Sequence, residues 1–107
     1  LDAKENAYHM LFLGMCMTMR GSYKVTSNLE SGYGRSDITL ESLHRKNSHV
    51  IIEFKQGTDL DRLKNEALEQ ILEKKYYAPL KGEILCIGLA HDKKRCELAC
   101  QRLQVPE

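Results

Sequence analysis

Val50-Ile51-Ile52-Glu53-Phe54-Lys55 is the segment around which the rest of the chain arranges itself. Its β-branched start lacks polar alternation, which is the pattern of a strand covered on both faces, and it predicts a central strand. Two charges then follow where burial is most strongly written, and unpaired they would cost several kcal/mol. Side chains two apart along a strand share a face, so Glu53 and Lys55 project together about 7 Å apart, opposite Val50, Ile52 and Phe54.

Toward the N-terminus the polar stretch His44-Arg45-Lys46-Asn47-Ser48 reads as a hairpin connection from a preceding strand over 36–43. There Ile38 and Leu40 point one way while Asp37, Thr39 and Glu41 point the other. Paired as a hairpin, the two strands bring Asp37 and Glu53 together near the middle of the sheet, two carboxylates beside one ammonium. A divalent cation resolves that arrangement. Mg²⁺ accepts one or two carboxylates and keeps several waters, so it can hold a phosphate oxygen and a water at once. Lys55 beside it could orient the attacking water, assist its deprotonation, or neutralise charge growing on the phosphate. This is hydrolytic chemistry on a phosphate ester.

Further out, Asp2-Ala3-Lys4-Glu5 has the form of a capping box. The helical spacing of Tyr8, Leu11, Phe12, Met15, Cys16 and Met19 predicts an amphipathic helix closed by a left-handed Gly21. Tyr23 and Val25 alternate with polar neighbours as a first strand, and Ser31-Gly32-Tyr33-Gly34 supplies a turn. After the central strand, Thr58 with Asp61 is placed to cap a second helix. Its Leu60, Leu63, Ala67, Leu68, Ile71 and Leu72 form an apolar stripe, and it ends before Pro79, with Tyr76 and Tyr77 packing at its end. Ile84 to Ala90 predicts another buried strand, and the alternation of Cys96, Leu98 and Cys100 against Glu97, Ala99 and Gln101 predicts a last one. The order αβββαββ gives an α/β domain, a mixed sheet of about five strands flanked by helices.

Residues 1–107 are one domain at this length, with 42% hydrophobic residues and only 7 Gly and 2 Pro, which argues against disorder or low complexity. The first residue is Leu1, which reads as a domain excised from a longer chain. No run is long and apolar enough to cross a bilayer, so no membrane partner is expected. The four cysteines form no CxxC pair and fit a reduced, cytoplasmic setting. The histidines lack zinc-ligand spacing, no nucleophile elbow is present, and Gly32-Tyr33-Gly34 is not followed by the Lys-Ser or Lys-Thr of a nucleotide loop. The net charge is +1, from 16 basic and 15 acidic residues. Setting aside Glu5, Asp37 and Glu53 as metal-compensated leaves 12 acids against 16 bases. Lys24, Arg35, Lys74, Lys75, Lys93, Lys94 and Arg95 are then candidate phosphate contacts.

Together these residues resemble the PD-(D/E)xK nuclease superfamily over nearly the whole chain. The blocks are Glu5-Asn6-Ala7-Tyr8-His9, Ser27 through Asp37, Ile51-Ile52-Glu53-Phe54-Lys55 and Ala67-Leu68-Glu69-Gln70-Ile71, in that order. The chain is most similar to a bacterial branch found as a C-terminal nuclease domain behind an AAA-ATPase-like region. The resemblance implies a restriction-endonuclease-like core and a Mg²⁺-dependent nuclease, Mn²⁺ substituting, that acts on nucleic acid, with DNA favoured. It makes Asp37 the motif's acid, Glu53 and Lys55 its ExK pair, Glu5 a helix carboxylate supporting the metal or its water, and Gln70 a residue that arranges the site. The backbone carbonyl of Phe54 would add a metal ligand. Ser36 stands where the motif usually has proline. Two rivals share the fold or the chemistry: a catalytically silent module for nucleic-acid or protein interaction, and a hydrolase of another phosphate ester. Domains of this size also work as appendages or homodimers.

Overall fold

The computed structural model describes residues 3–27, 37–44 and 46–106, and side chains from Met10 onward. Helix α1 (Ala3–Cys16) runs into a single 3-10 turn (Met17–Met19). Strands β1 (Tyr23–Ser27), β2 (Ile38–Ser42) and β3 (His49–Gln56) follow, then helix α2 (Leu60–Lys74), β4 (Gly82–His91) and β5 (Cys96–Val105). The expected element order is present. Asp2, Gly32, Gly34 and Arg35 lie outside the described residues.

The five strands lie side by side in chain order. β1–β2, β2–β3 and β4–β5 pair antiparallel, whereas β3 and β4 pair parallel over eight residues, His49 with Ile84 through Gln56 with His91. A parallel pair needs a crossover, and α2 supplies it. β3 is the central strand the β-branched run predicts: Ile51, Ile52, Glu53 and Phe54 are all buried. Its two faces feed two cores. On one, Ile52 and Phe54 pack with Ile38, Leu40, Leu89 and Cys16, and the Phe12 and Phe54 rings meet edge-on with centroids 5.5 Å apart. On the other, Ile51 packs with Ile84, Cys86, Leu80 and Ile71 of α2.

Gly88 fixes how α2 sits on the sheet. A Cβ there would overlap the Lys64 carbonyl oxygen and lie 2.5 Å from the Leu68 amide nitrogen. Only a bare backbone lets helix and strand approach so closely, and Gly88 is the ladder partner of Glu53. The contact therefore sets the height of α2 above the charged stretch of β3.

Three local expectations are corrected. Asp59, not Thr58, caps α2, its carboxylate accepting the Arg62 amide at 3.2 Å. Gly21 is not left-handed; among the described residues only Lys75 and Gly82 have positive φ. α1 buries Cys16 and packs Phe12 and Leu13, while Met10, Leu11, Met15, Met17 and Met19 are exposed, so the inward stripe is narrower than its apolar spacing implies. The last strand expected from the alternation around Cys96 is present as β5; Cys96, Leu98 and Cys100 face outward, Leu98 being 51% exposed, and Leu103 and Val105 pack against the α2-side core.

Candidate active site

The β2–β3 ladder pairs Ile38 with Ile52, which carries Asp37, just ahead of β2, alongside Glu53. The Asp37 amide donates to Glu53 Oε1 at 3.2 Å, and the Phe54 amide donates to Asp37 Oδ2 at 2.8 Å. Each carboxylate thus takes a backbone amide from the other's segment, and the two acids extend the strand pairing beyond the end of β2. Antiparallel alternation dictated that both face the same side, the side covered by α2.

From α2, Gln70 reaches down onto β3. Its Nε2 donates to Glu53 Oε2 at 2.6 Å and to the Tyr76 hydroxyl at 3.0 Å, while its Oε1 accepts from Lys55 Nζ at 2.8 Å. A flipped amide would set carbonyl against carboxylate and NH₂ against ammonium, so the charged neighbours dictate the orientation. The 2.6 Å contact has the short length of a charge-assisted bond. Glu53 is only 6% exposed, and Asp37, Lys55, Gln70 and Tyr76 are half-buried. A buried carboxyl is tolerated when it is hydrogen-bonded, and each Glu53 oxygen accepts one such bond, leaving acceptor capacity on both.

The donor chemistry suits a hard divalent cation. Two carboxylates from neighbouring segments converge here, although among the described residues no group of three or more His, Cys, Asp or Glu is placed to hold a metal ion. One or two carboxylates are what a hard divalent cation accepts when waters and substrate oxygens fill the rest of its shell. Asp37, Glu53, Lys55 and Gln70 are therefore brought together. Glu5 lies in the first turn of α1, its side chain outside the described residues. The Phe54 amide is committed to Asp37.

The basic residues fall into separate places. Lys24 is exposed on β1. Lys74 and Lys75 are exposed at the end of α2, and Lys93, Lys94 and Arg95 in the β4–β5 turn. That turn and the β3–α2 loop line a cavity with Gln56, Gly57 and Thr58. The amides of Lys94 and Arg95, each 2.7 Å from Asp92 Oδ1, hold the Asp92 carboxyl below its ordinary range and fix the turn.

Tyr76 is the residue that pattern reading assigned to packing alone. It does pack in the α2-side core, and its hydroxyl also joins the site. A family model described as the PD-(D/E)XK nuclease superfamily matches residues 3–100 of the chain. No curated protein and no solved structure matches it.

Proposed function

The chain belongs to the PD-(D/E)XK nuclease superfamily, and from that membership we propose that it is a divalent-metal-dependent nuclease hydrolysing phosphodiester bonds of DNA. The observation that carries this is the single hydrogen-bonded cluster in which Asp37, Glu53, Lys55 and Gln70 meet from three parts of the chain. Asp37 and Glu53 are the pair that would hold the metal, with the Phe54 carbonyl and Glu5 as further ligands. Superfamily members generally use divalent metals, and Mg²⁺, or Mn²⁺ in its place, would supply polarisation of the phosphate and a more acidic water.

The chain's own groups do the rest. Lys55 has one proton engaged by the Gln70 carbonyl, and an ammonium carries three, so it keeps donors for a phosphate oxygen or for the attacking water. In that position it offsets the negative charge that grows in the transition state. Gln70 holds carboxylate and ammonium at the separation of one amide. Arg35, Lys74, Lys75, Lys93, Lys94 and Arg95 contact phosphates without reading sequence. No helix among the described residues is long and apolar enough to cross a membrane. We place the protein in the cytoplasm, as the nuclease part of a chain with an AAA-ATPase-like region or as a homodimer.

Supercoiled plasmid, linear duplex, single strands and RNA, each with Mg²⁺, Mn²⁺ or chelator, test the proposal. DNA cleavage that needs the metal and falls roughly 10²- to 10³-fold in a folded Lys55→Ala protein is expected. A folded wild type that cuts none of the four, or a Lys55→Ala protein that cuts at the wild-type rate, overturns it.

A further inference from the structure

We propose that Tyr76 is a positioning residue of the active site: its hydroxyl fixes the Gln70 amide, and through it the placement of Glu53 and Lys55. This rests on the nuclease activity proposed above. In an uninterrupted helix, residues six apart are separated by about 9 Å along the axis and lie well round from one another, so Gln70 and Tyr76 would not touch. They touch because the chain leaves α2 through Lys75 at φ 54° and ψ 44°, and the Tyr76 amide closes back onto the Ile71 carbonyl at 3.3 Å. This left-handed reversal returns the next residue over the last turn. The Tyr76 ring then packs in the cluster of Ile71, Leu80 and Ile84, which fixes where its oxygen lies.

Gln70 Nε2 has two protons. One goes to Glu53 and the other to Tyr76, and the carbonyl takes Lys55. The last torsion of a glutamine is soft, with no sharp staggered wells. Two charged partners alone leave the amide plane free to tilt about the line joining them. A third partner, anchored in the core, removes that freedom. Tyr76 touches no reacting atom; it acts through Gln70 on a carboxylate and an ammonium whose relative position sets the rate.

The test is Tyr76→Phe, which keeps the packed ring and removes only the oxygen, with Tyr77→Phe as control because Tyr77 packs in the same cluster. Tyr76→Phe is expected to lower kcat on plasmid DNA roughly five- to ten-fold with KM nearly unchanged, while its melting temperature stays within about 2 °C of wild type. Tyr77→Phe is expected to leave both constants unchanged. A Gln70→Ala/Tyr76→Phe protein should cleave no more slowly than Gln70→Ala alone. In ¹⁵N-labelled protein, the Gln70 side-chain amide should exchange with water faster in Tyr76→Phe and not in Tyr77→Phe. A wild-type rate for Tyr76→Phe, losses that multiply in the double variant, or unchanged Gln70 amide exchange would overturn the role. Should wild type cut no nucleic acid, the nuclease proposal falls, and the amide exchange by itself upholds or overturns the hold of Tyr76 on Gln70.

Discussion

The Glu53 carboxyl is only 6% exposed, and its neighbours answer it oxygen by oxygen, the Asp37 amide on Oε1 and the Gln70 amide on Oε2. Removing the carboxylate and removing only its charge are therefore different experiments. Glu53→Ala strands both donors and should lower the urea unfolding free energy by about 1–3 kcal/mol. Glu53→Gln keeps the volume and one acceptor but turns an NH₂ toward the other donor, so it should cost about 1 kcal/mol and less than Glu53→Ala. Both should lose the heat of Mg²⁺ binding in calorimetry together with cleavage. Across the strand pair, Cys86 shows the opposite logic, a group kept neutral by burial, which pushes its thiol up to about 11. The sign follows from linkage: a raised folded-state value favours the protonated thiol, so this stability is full below about pH 8.5 and is lost as pH climbs through 11. The melting temperature between pH 8 and 11 should fall less steeply in Cys86→Ala than in wild type. Asp37, Glu53 and Lys55 were legible in the sequence because charges interrupting apolar strands have few structural uses. Gln70 was legible only by resemblance, since a polar residue beside a helical stripe is ordinary. Tyr76 left no trace, because nothing in Lys74-Lys75-Tyr76 marks a left-handed turn.

α2 is the element on which the site depends, and two of its features set its position. Asp59 fixes where it begins, and Gly88 fixes how near it lies to β4. In Gly88→Ala the added methyl meets backbone, which cannot rotate aside, so α2 must lift. The expected cost is about 1–3 kcal/mol of overpacking, and the lift withdraws Gln70 from Glu53. Cleavage should thus fall in Gly88→Ala at temperatures where circular dichroism still shows a folded protein, whereas an unchanged rate would separate helix height from the site. Elements were legible where period and burial agree, as in β3, β4 and α2. They were less so where apolar residues outnumber the buried positions. In α1 the spacing of Leu11 and Met15 matches an inward face that the fold does not cover. The Asp59 cap was missed because Thr58 is equally suited by residue type, and only the backbone decides between adjacent candidates.

At the scale of the whole molecule, the parallel β3–β4 pair brings the β3–α2 loop and the basic β4–β5 turn together at the C-terminal ends of the two strands, the Gly57 amide bonding to the His91 carbonyl at 3.1 Å, with Glu53 three residues back from the end of β3. Lys74 and Lys75 lie at the other end of α2. The basic residues therefore form two groups, which composition could not reveal because charge counts carry no position. If the turn contacts DNA phosphates, Lys93→Ala/Lys94→Ala in a Lys55→Ala background should reduce the slope of log K against log salt by about 2, with affinity lost equally across sequences. Fluorescence anisotropy over a salt series reads this, and an unchanged slope removes the turn from the DNA contact.

The outward-facing sulfurs of α1 and the turn after it have a consequence of their own. All four methionines of the chain, Met10, Met15, Met17 and Met19, sit in water-facing positions, and none serves either core. Peroxide would meet every thioether before it met any side chain on which folding depends. Each sulfoxide would add polarity where the surface is already wet and could be reduced again, so an oxidative burst would be recorded on this protein's exterior while its carboxylates and their scaffold stayed in place.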